Sequence, residues 1–423
     1  MENIVLPVRK QYETRDRWLI QRLDQKLPDI MKRSGIDMWV VMTDENNEDP
    51  VTKTLLPSRL INASAKMILV FYLKNGQVVR ESVSRPCGVE DIYINSWYGI
   101  TDTDWKGKLV KKPDTTALEY LRFIVGRENP ARIGVDTDAV HYFCDGISHT
   151  NYMALTEALG EYAARLVPAR ELSVSWMECH CGEELDAFAQ IVKTAHDIIS
   201  KSYDKSMITP GITANDDIRF DMMQRASDMG MDFWFDCSCA VFRKNYPGMH
   251  NDTHIIQPGD VVHCDLGIEY LGLCTDAQEL CYILRDGETD APEGLKHALK
   301  VTNRLQDIVL SNIKLGRTGN DVFTISKKQA SSEGIDAMIY SHPLGVYGHA
   351  PGPVVGTFSN QNPSEMGECV FHDGTVHALE LNAKVPIPEW GGETLMCCLE
   401  TEIMLQNGEA AYLSGRQTEF HLV

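Results

Sequence analysis

The sequence predicts an α/β domain over residues 1–172 followed by an α+β domain over residues 173–423, the second built from an internal repeat. Three observations carry this expectation. Helical and strand-like segments alternate through the first part, the pattern of a layered α/β structure. From about Glu183 the pattern changes to long helices followed by strand-rich hairpins, and it does so twice. Finally, 208-ITPGITANDD-217 returns as 313-IKLGRTGNDV-322, with Ile208/Ile313, Gly211/Gly316, Thr213/Thr318, Asn215/Asn320 and Asp216/Asp321 identical at an offset of 105 residues.

Taken in order, residues 13–35 carry apolar positions at helical spacing and stop at Gly35, and 36-IDMWVVMT-43 is apolar and β-branched enough for a buried strand. Further strands are expected at Lys66–Leu73, Gln77–Arg80, Arg132–Asp136 and Arg165–Val167, with a helix at Tyr152–Leu159. No catalytic constellation stands out in this part. In the second part, amphipathic helices over Leu185–Met207 and Ala298–Leu315 each lead into a glycine turn. Thr213 and Thr318 are then placed as N-caps, with Asp216 and Asp321 in the capping-box position, and each following helix stops at a glycine, Gly230 or Gly334.

The whole chain has 423 residues, 43% hydrophobic and 24% charged, which is ordinary globular composition. Its formal net charge of −20, with no long basic run, argues against nucleic acid or an anionic membrane as partner. No apolar stretch approaches the ~20 residues that cross a bilayer, and the N-terminus lacks a signal-peptide core, so a cytoplasmic location is expected. The 12 cysteines are scattered through apolar segments and read as buried thiols. Cys179-His180-Cys181 and Cys237/Cys239 lack the two-residue spacer of a zinc knuckle.

The chemistry concentrates in 259-GDVVHCDLGIEYLGLCTDAQE-279, which reads as a β-hairpin with Asp265 on one strand and Asp276 on the other. Two acids within an apolar ribbon repel each other unless a shared proton or a cation intervenes. The repeat supplies partners for them. By the same topology the second copy delivers Glu380 in 376-VHALELNAKV-385 and Glu400 in 395-LMCCLETEIML-405. If the copies face each other about a pseudo-twofold axis, four carboxylates meet, and a partly buried set of four requires cations. A histidine from 341-SHPLGVYGHAPG-352 would complete a ligand set suited to Mn²⁺, Co²⁺, Fe²⁺ or Zn²⁺, with four carboxylates suggesting two ions. Between the two glutamates, 386-PIPEWGGE-393 is expected to be a connecting turn with an exposed Trp390 that reaches a substrate rim if it acts at all.

These residues resemble the pita-bread metallopeptidase family, which includes Xaa-Pro aminopeptidases, prolidases, methionine aminopeptidases and the non-peptidase creatinases. That family's ligand order of Asp, Asp, His, Glu, Glu falls on Asp265, Asp276, His342, Glu380 and Glu400. Its second loop histidine falls on His349 and its substrate-side histidine on His250. The resemblance implies a pita-bread catalytic domain behind a creatinase/aminopeptidase-P-like N-terminal domain that restricts substrate or forms oligomers. It implies two divalent ions, Mn²⁺ first among them, with Asp265 and Glu400 bridging, Asp276 chelating one ion, and His342 and Glu380 the other. A hydroxide held between the ions would attack a short proline-containing peptide ahead of the proline. Glu380 would take the proton and His349 and His250 would bind the carbonyl oxygen. A homodimer or larger homo-oligomer is implied as well.

The chain also departs from the family pattern. Glu279 and Cys398 stand where relatives often carry arginines, Glu380-Leu381-Asn382 replaces Glu-Pro-Gly, and Met338 replaces a histidine. A non-peptidase hydrolase or lyase on the same scaffold, and a silent peptide-binding homologue, therefore stand as alternatives to the Xaa-Pro exopeptidase.

Overall fold

The structure, a computed structural model, describes residues 4–83, 92–96, 100–103, 109–111, 116–246 and 252–423. It divides into two compact units, Pro7–Cys181 and Gly182–Val423, the second together with the N-terminal residues up to Leu6.

In the first unit the helix expected over 13–35 is two helices, Val8–Gln25 and Leu27–Ser34. Pro28 cannot continue a helix from the preceding turn, whereas it suits the first turn of a new one, and Gly35 closes that helix in the left-handed region at φ 64°. The strand Met38–Thr43 is buried along its whole length, as a central strand should be. It lies in a six-stranded sheet ordered Ile94–Asn95, Gln77–Ser82, Met67–Lys74, Met38–Thr43, Ile133–Val135 and Leu166–Pro168. Pairing is antiparallel from Gln77–Ser82 to Met38–Thr43 and parallel from there to Leu166–Pro168. The helix Ala117–Glu128 escapes the periodicity reading, although Thr116 and Glu119 form a complete capping box at its start.

The second unit is the repeat. Helices Gly182–Ser202 and Asn215–Met229 open the first copy, and Glu293–Asn312 and Gly319–Ser332 the second. Gly211 and Gly316 occupy the same turn with φ of 84° and 78°. Thr318 and Asp321 form the expected capping box. In the first copy the cap is displaced by one residue: Ala214 is the N-cap, and Asp217 accepts its N–H at 2.8 Å. The Thr213 hydroxyl is already engaged, accepting the Thr209 N–H at 2.8 Å.

Each copy then contributes a long hairpin that bends from one sheet into another. In the first, Val261–Leu266 and Ala277–Tyr282 lie in a four-stranded sheet with Ser238–Phe242 and His421–Leu422. The same hairpin continues as Ile268–Tyr270 and Leu273–Cys274 in a three-stranded sheet with Asp232–Phe233. It closes at Leu271 and Gly272, both left-handed, as a tight hairpin turn requires. In the second, Thr375–Ala378 and Glu402–Gln406 share a four-stranded sheet with His342–Leu344 and Glu409–Tyr412. Its continuation, Leu381–Ile387 and Glu393–Leu399, shares a three-stranded sheet with Ala337–Ile339. The two hairpins are joined at their bends by main-chain bonds between Gln278 and Glu400, 3.3 and 3.2 Å long.

Apolar packing fixes this frame from behind. Leu295, Ala298 and Leu299 of one helix pack with Val385, Leu395 and Leu399, and Trp390 joins the same cluster. Trp390 is thus buried at the turn between strands rather than exposed at a rim, because the Pro388–Trp390 turn folds back over the core. Of the described cysteines, all but Cys369 are buried. Among the described residues no helix is long and apolar enough to cross a membrane.

Candidate metal centre

The bends in the two hairpins explain where the acids go. Asp265 is the next-to-last residue of its strand before the break at Gly267, and Asp276 sits in the break on the returning side. Glu380 and Glu400 occupy the corresponding breaks of the second hairpin, just ahead of Leu381 and just after Leu399. A strand that leaves one sheet for another is released from strict alternation there, so the side chains on both sides of the bend are free to converge. His342 opens the strand His342–Leu344 and pairs with Ala378, two residues ahead of Glu380.

The acids and the histidine converge in three overlapping sets, each with its ligand atoms within 4.8 Å of one another. These are Asp265, Asp276 and Glu400; His342, Glu380 and Glu400; and Asp276, His342 and His349. His342 Nε2 lies 3.5 Å from Asp276, 3.7 Å from Glu400 and 3.9 Å from Glu380. Asp276 and Glu400 are almost fully buried, at 4% and 2% exposure. His349 faces solvent, so the cluster opens on its side. His250 lies outside the described residues.

The electrostatics of this cluster are those of acids lacking a countercharge. Burial, and then the Asp276 charge, drive the Asp265 carboxyl well above its usual range. Burial likewise raises Asp276, Glu380 and Glu400, each further raised by its acidic neighbours. His342 is pushed down to about 4 by burial, which keeps its imidazole neutral and its lone pair available. Its Nδ1 lies 3.2 Å from the Pro343 carbonyl, a contact that places the proton there and aims Nε2 at the acids. Asp265 Oδ1, His342 Nε2 and both Glu400 oxygens have no hydrogen-bond partner among the described residues. A divalent cation satisfies all of these atoms at once, and the mixed carboxylate and imidazole donors suit Mn²⁺, Fe²⁺, Co²⁺ or Zn²⁺. The residues therefore fit such an ion.

Several residues at the centre went unread in the sequence. Gln278 donates to Glu380 Oε1 at 2.6 Å, and its amide oxygen is held 3.1 Å from His263 Nε2. The Ser341 hydroxyl accepts the Glu380 N–H at 3.1 Å. Glu402, fully buried, accepts the Asp276 N–H at 2.8 Å. Gln278 and Glu402 each lie two residues beyond an acid, the spacing that returns a strand side chain to the same face, and this was the available signal. Trp234 stands edge-on to His349 with ring centroids 5.0 Å apart and donates to the Thr275 carbonyl at 2.7 Å. A side chain at Gly267 would come within 2.2 Å of Trp234 and Phe235. Gly267→Ala is expected to displace the bend bearing Asp265 and to cost about 1–3 kcal/mol, measured by urea denaturation.

Comparison with known proteins extends these findings. The profile of metallopeptidase family M24 matches residues 185–400. The protein described as "Uncharacterized peptidase YqhT" of Bacillus subtilis (strain 168) is 24% identical over 275 residues, which cover 62% of this chain and 71% of that protein. The chain is similar in structure to the X-Pro aminopeptidase of Thermotoga maritima MSB8, with TM-score 0.63, 15% identity, and 93% and 100% of the two chains covered. It is also similar to the Xaa-Pro dipeptidase of Bacillus anthracis, with TM-score 0.58, 16% identity, and 96% and 99% covered.

Proposed function

The chain belongs to metallopeptidase family M24, with its pita-bread fold, and from that premise we propose that it is an exopeptidase hydrolysing the bond ahead of proline in short peptides. The observation that carries this reading is the convergence of four carboxylates and one imidazole at the bends of the two repeated hairpins, with unpartnered oxygens and nitrogen close to one another. Asp265, Asp276 and Glu400 would hold one divalent ion and His342, Glu380 and Glu400 a second, with Glu400 common to both sets. Mn²⁺ is the first metal to test. Such ions supply a water ionised near neutral pH and a Lewis acid for the scissile carbonyl.

The remaining work falls to the chain's own side chains. Glu380 has Oε1 fixed by Gln278, leaving Oε2 to take a proton from the attacking water. That oxygen would hold the proton before passing it to the leaving nitrogen. The His349 ring is exposed on one side, and desolvation of its inner side, then the neighbouring His342, push it down to about 4, so it brings a single N–H to the substrate carbonyl oxygen from the open side of the cluster. His250 is proposed for the same oxygen.

Hydrolysis of a panel of Xaa-Pro dipeptides and longer Xaa-Pro peptides with Mn²⁺ tests the reading. Cleavage ahead of proline is expected; intact peptides in the presence of protein shown to carry metal would refute it. His349→Ala is expected to lower kcat roughly 10²- to 10³-fold while metal stoichiometry stays at the wild-type value.

A further inference from the structure

Glu279 stands at a position where the resemblance leads one to expect a cation, and its surroundings show what replaces it. Its carboxylate is only 5% exposed and lies between two imidazoles, 2.6 Å from His196 Nδ1 and 2.5 Å from His421 Nε2. His196 comes from the helix Gly182–Ser202, and His421 from the C-terminal strand that pairs with Ala277–Tyr282. With Nδ1 tied to Glu279, the opposite nitrogen of His196 is turned toward the second hairpin. It lies 3.5 Å from the Thr401 hydroxyl and 3.8 Å from Glu402 Oε2. The other Glu402 oxygen accepts the Asp276 N–H at 2.8 Å, a bond that crosses from one copy of the repeat to the other. The four groups thus form one line, His421, Glu279, His196, Glu402, ending on the main chain of Asp276.

We propose that His196, oriented by Glu279, is a positioning residue for the metal centre: it holds Glu402 where that carboxylate fixes the Asp276 main chain, and so aims the Asp276 side chain at the ions. This rests on the metal-binding part of the function proposed above. The physical case is one of charge and rigidity. Glu402 is fully buried beside acids that already repel it, and its Oε2 has no hydrogen-bond partner among the described residues. Its Oε1 is tied to the Asp276 N–H, so the group that stands against Oε2 decides how the carboxylate is turned and how well that bond is kept. The imidazole of His196 is the group that faces it, and burial of that ring is outweighed by Glu279 and Glu402, which raise its proton affinity. A carboxylate that orients an imidazole that in turn steadies a ligand is the arrangement by which outer residues tune a metal site. Cys398, at the other position where an arginine is expected, is a buried thiol and supplies no charge.

The test is Mn²⁺ binding to metal-depleted protein by calorimetry, without peptide, together with the melting temperature of each metal-depleted variant. His196→Gln is expected to weaken Mn²⁺ at least ~10-fold. His421→Gln removes an equally close contact to Glu279 but none to Glu402, and is expected to stay within about threefold of wild type on the same scale. Glu279→Gln keeps the shape but withdraws the orienting charge, and is expected to follow His196→Gln; it carries the test if His196→Gln does not fold. Wild-type affinity in Glu279→Gln and His196→Gln, or a loss in His421→Gln equal to theirs and matched by equal drops in melting temperature, overturns the proposal in favour of a merely structural network. Wild-type protein that takes up no Mn²⁺ overturns the metal centre itself, whereas wild type that binds Mn²⁺ but leaves Xaa-Pro peptides intact refutes only the substrate assignment.

Discussion

Alanine at Asp276 is expected to reduce metal-dependent peptide hydrolysis to background, while the metal-free variant melts no lower than metal-free wild type. The two halves of this result have one cause. Asp276 belongs to two of the three ligand sets and is the acid nearest to His342 Nε2, so its loss breaks both. In the absence of an ion the same carboxylate is a liability. It is nearly fully buried, its proton affinity is raised by burial and by Glu402, and it meets Asp265 and Glu400 at short range. Removing one member of a set of like buried charges relieves repulsion, and this offsets the small volume lost. Mn²⁺ at a hundred times its Kd would stabilise wild type by about 2.7 kcal/mol, roughly 5–10 °C in melting temperature for a unit of this size. That shift is expected to vanish in Asp276→Ala. Thermal scans of both proteins with EDTA and with Mn²⁺ check it, and a variant that kept turnover or the Mn²⁺ shift would remove Asp276 from the centre. Asp276→Asn, which keeps the volume and loses the charge, is expected to behave alike.

The sequence alone carried much of this site, for reasons visible in particular residues. Each acid lies in a run whose apolar alternation identifies a strand, and the five identities at offset 105 reveal the second pair once the first is suspected. The bends were harder. Gly267 is a lone glycine in a strand, which signals a bend or a close approach, but nothing local to it says that Trp234 and Phe235 fill the space beside it. The displaced cap at Ala214 shows the limit of repeat reasoning: Thr213 matches Thr318 letter for letter, yet its hydroxyl is already taken by the Thr209 N–H. His196 and His421 were illegible for a different reason. They lie 83 and 142 residues from Glu279, and only the packing of a helix and a terminal strand brings them to it. What one sequence could say was that Glu279 lacked the expected charge, and the structure places two histidines there.

The second large effect concerns pH, and its direction reverses with metal. Asp265, Asp276, Glu380 and Glu400 all have proton affinities raised above those of an unfolded chain. The folded, metal-free protein therefore holds protons that the unfolded chain has released, and its stability falls as pH rises from the unfolded value of about 4 through the raised folded values. His263 and His342 act in the opposite sense, because burial holds each at about 4, and the partly desolvated His349, also at about 4, acts with them; folding disfavours their charged forms. Their contribution is complete above the unfolded histidine value of about 6.5. Glu279, brought down to about 2 by His196 and His421 against the effect of its burial, has likewise contributed in full by then. His196, its proton affinity raised, loses stabilising effect as pH climbs, in step with the acids. Buried thiols such as Cys264 begin to oppose folding only near the unfolded cysteine value of about 8.5. From about pH 6.5 to 8 the remaining change comes from these four acids and His196, together with Glu178, raised to about 8 by burial, and Asp49, also raised by burial, which lie in the first unit and act alike with and without metal. Each proton retained on folding costs about 1.4 kcal/mol of stability per pH unit. In EDTA the urea midpoint is expected to fall across that interval. With Mn²⁺ the ligands must bind without their protons, so affinity strengthens as pH rises and the midpoint should hold level or climb. Parallel midpoint curves in EDTA and Mn²⁺ would mean that these carboxylates are not the ones that meet the ion, and the convergence of the four acids would need another explanation.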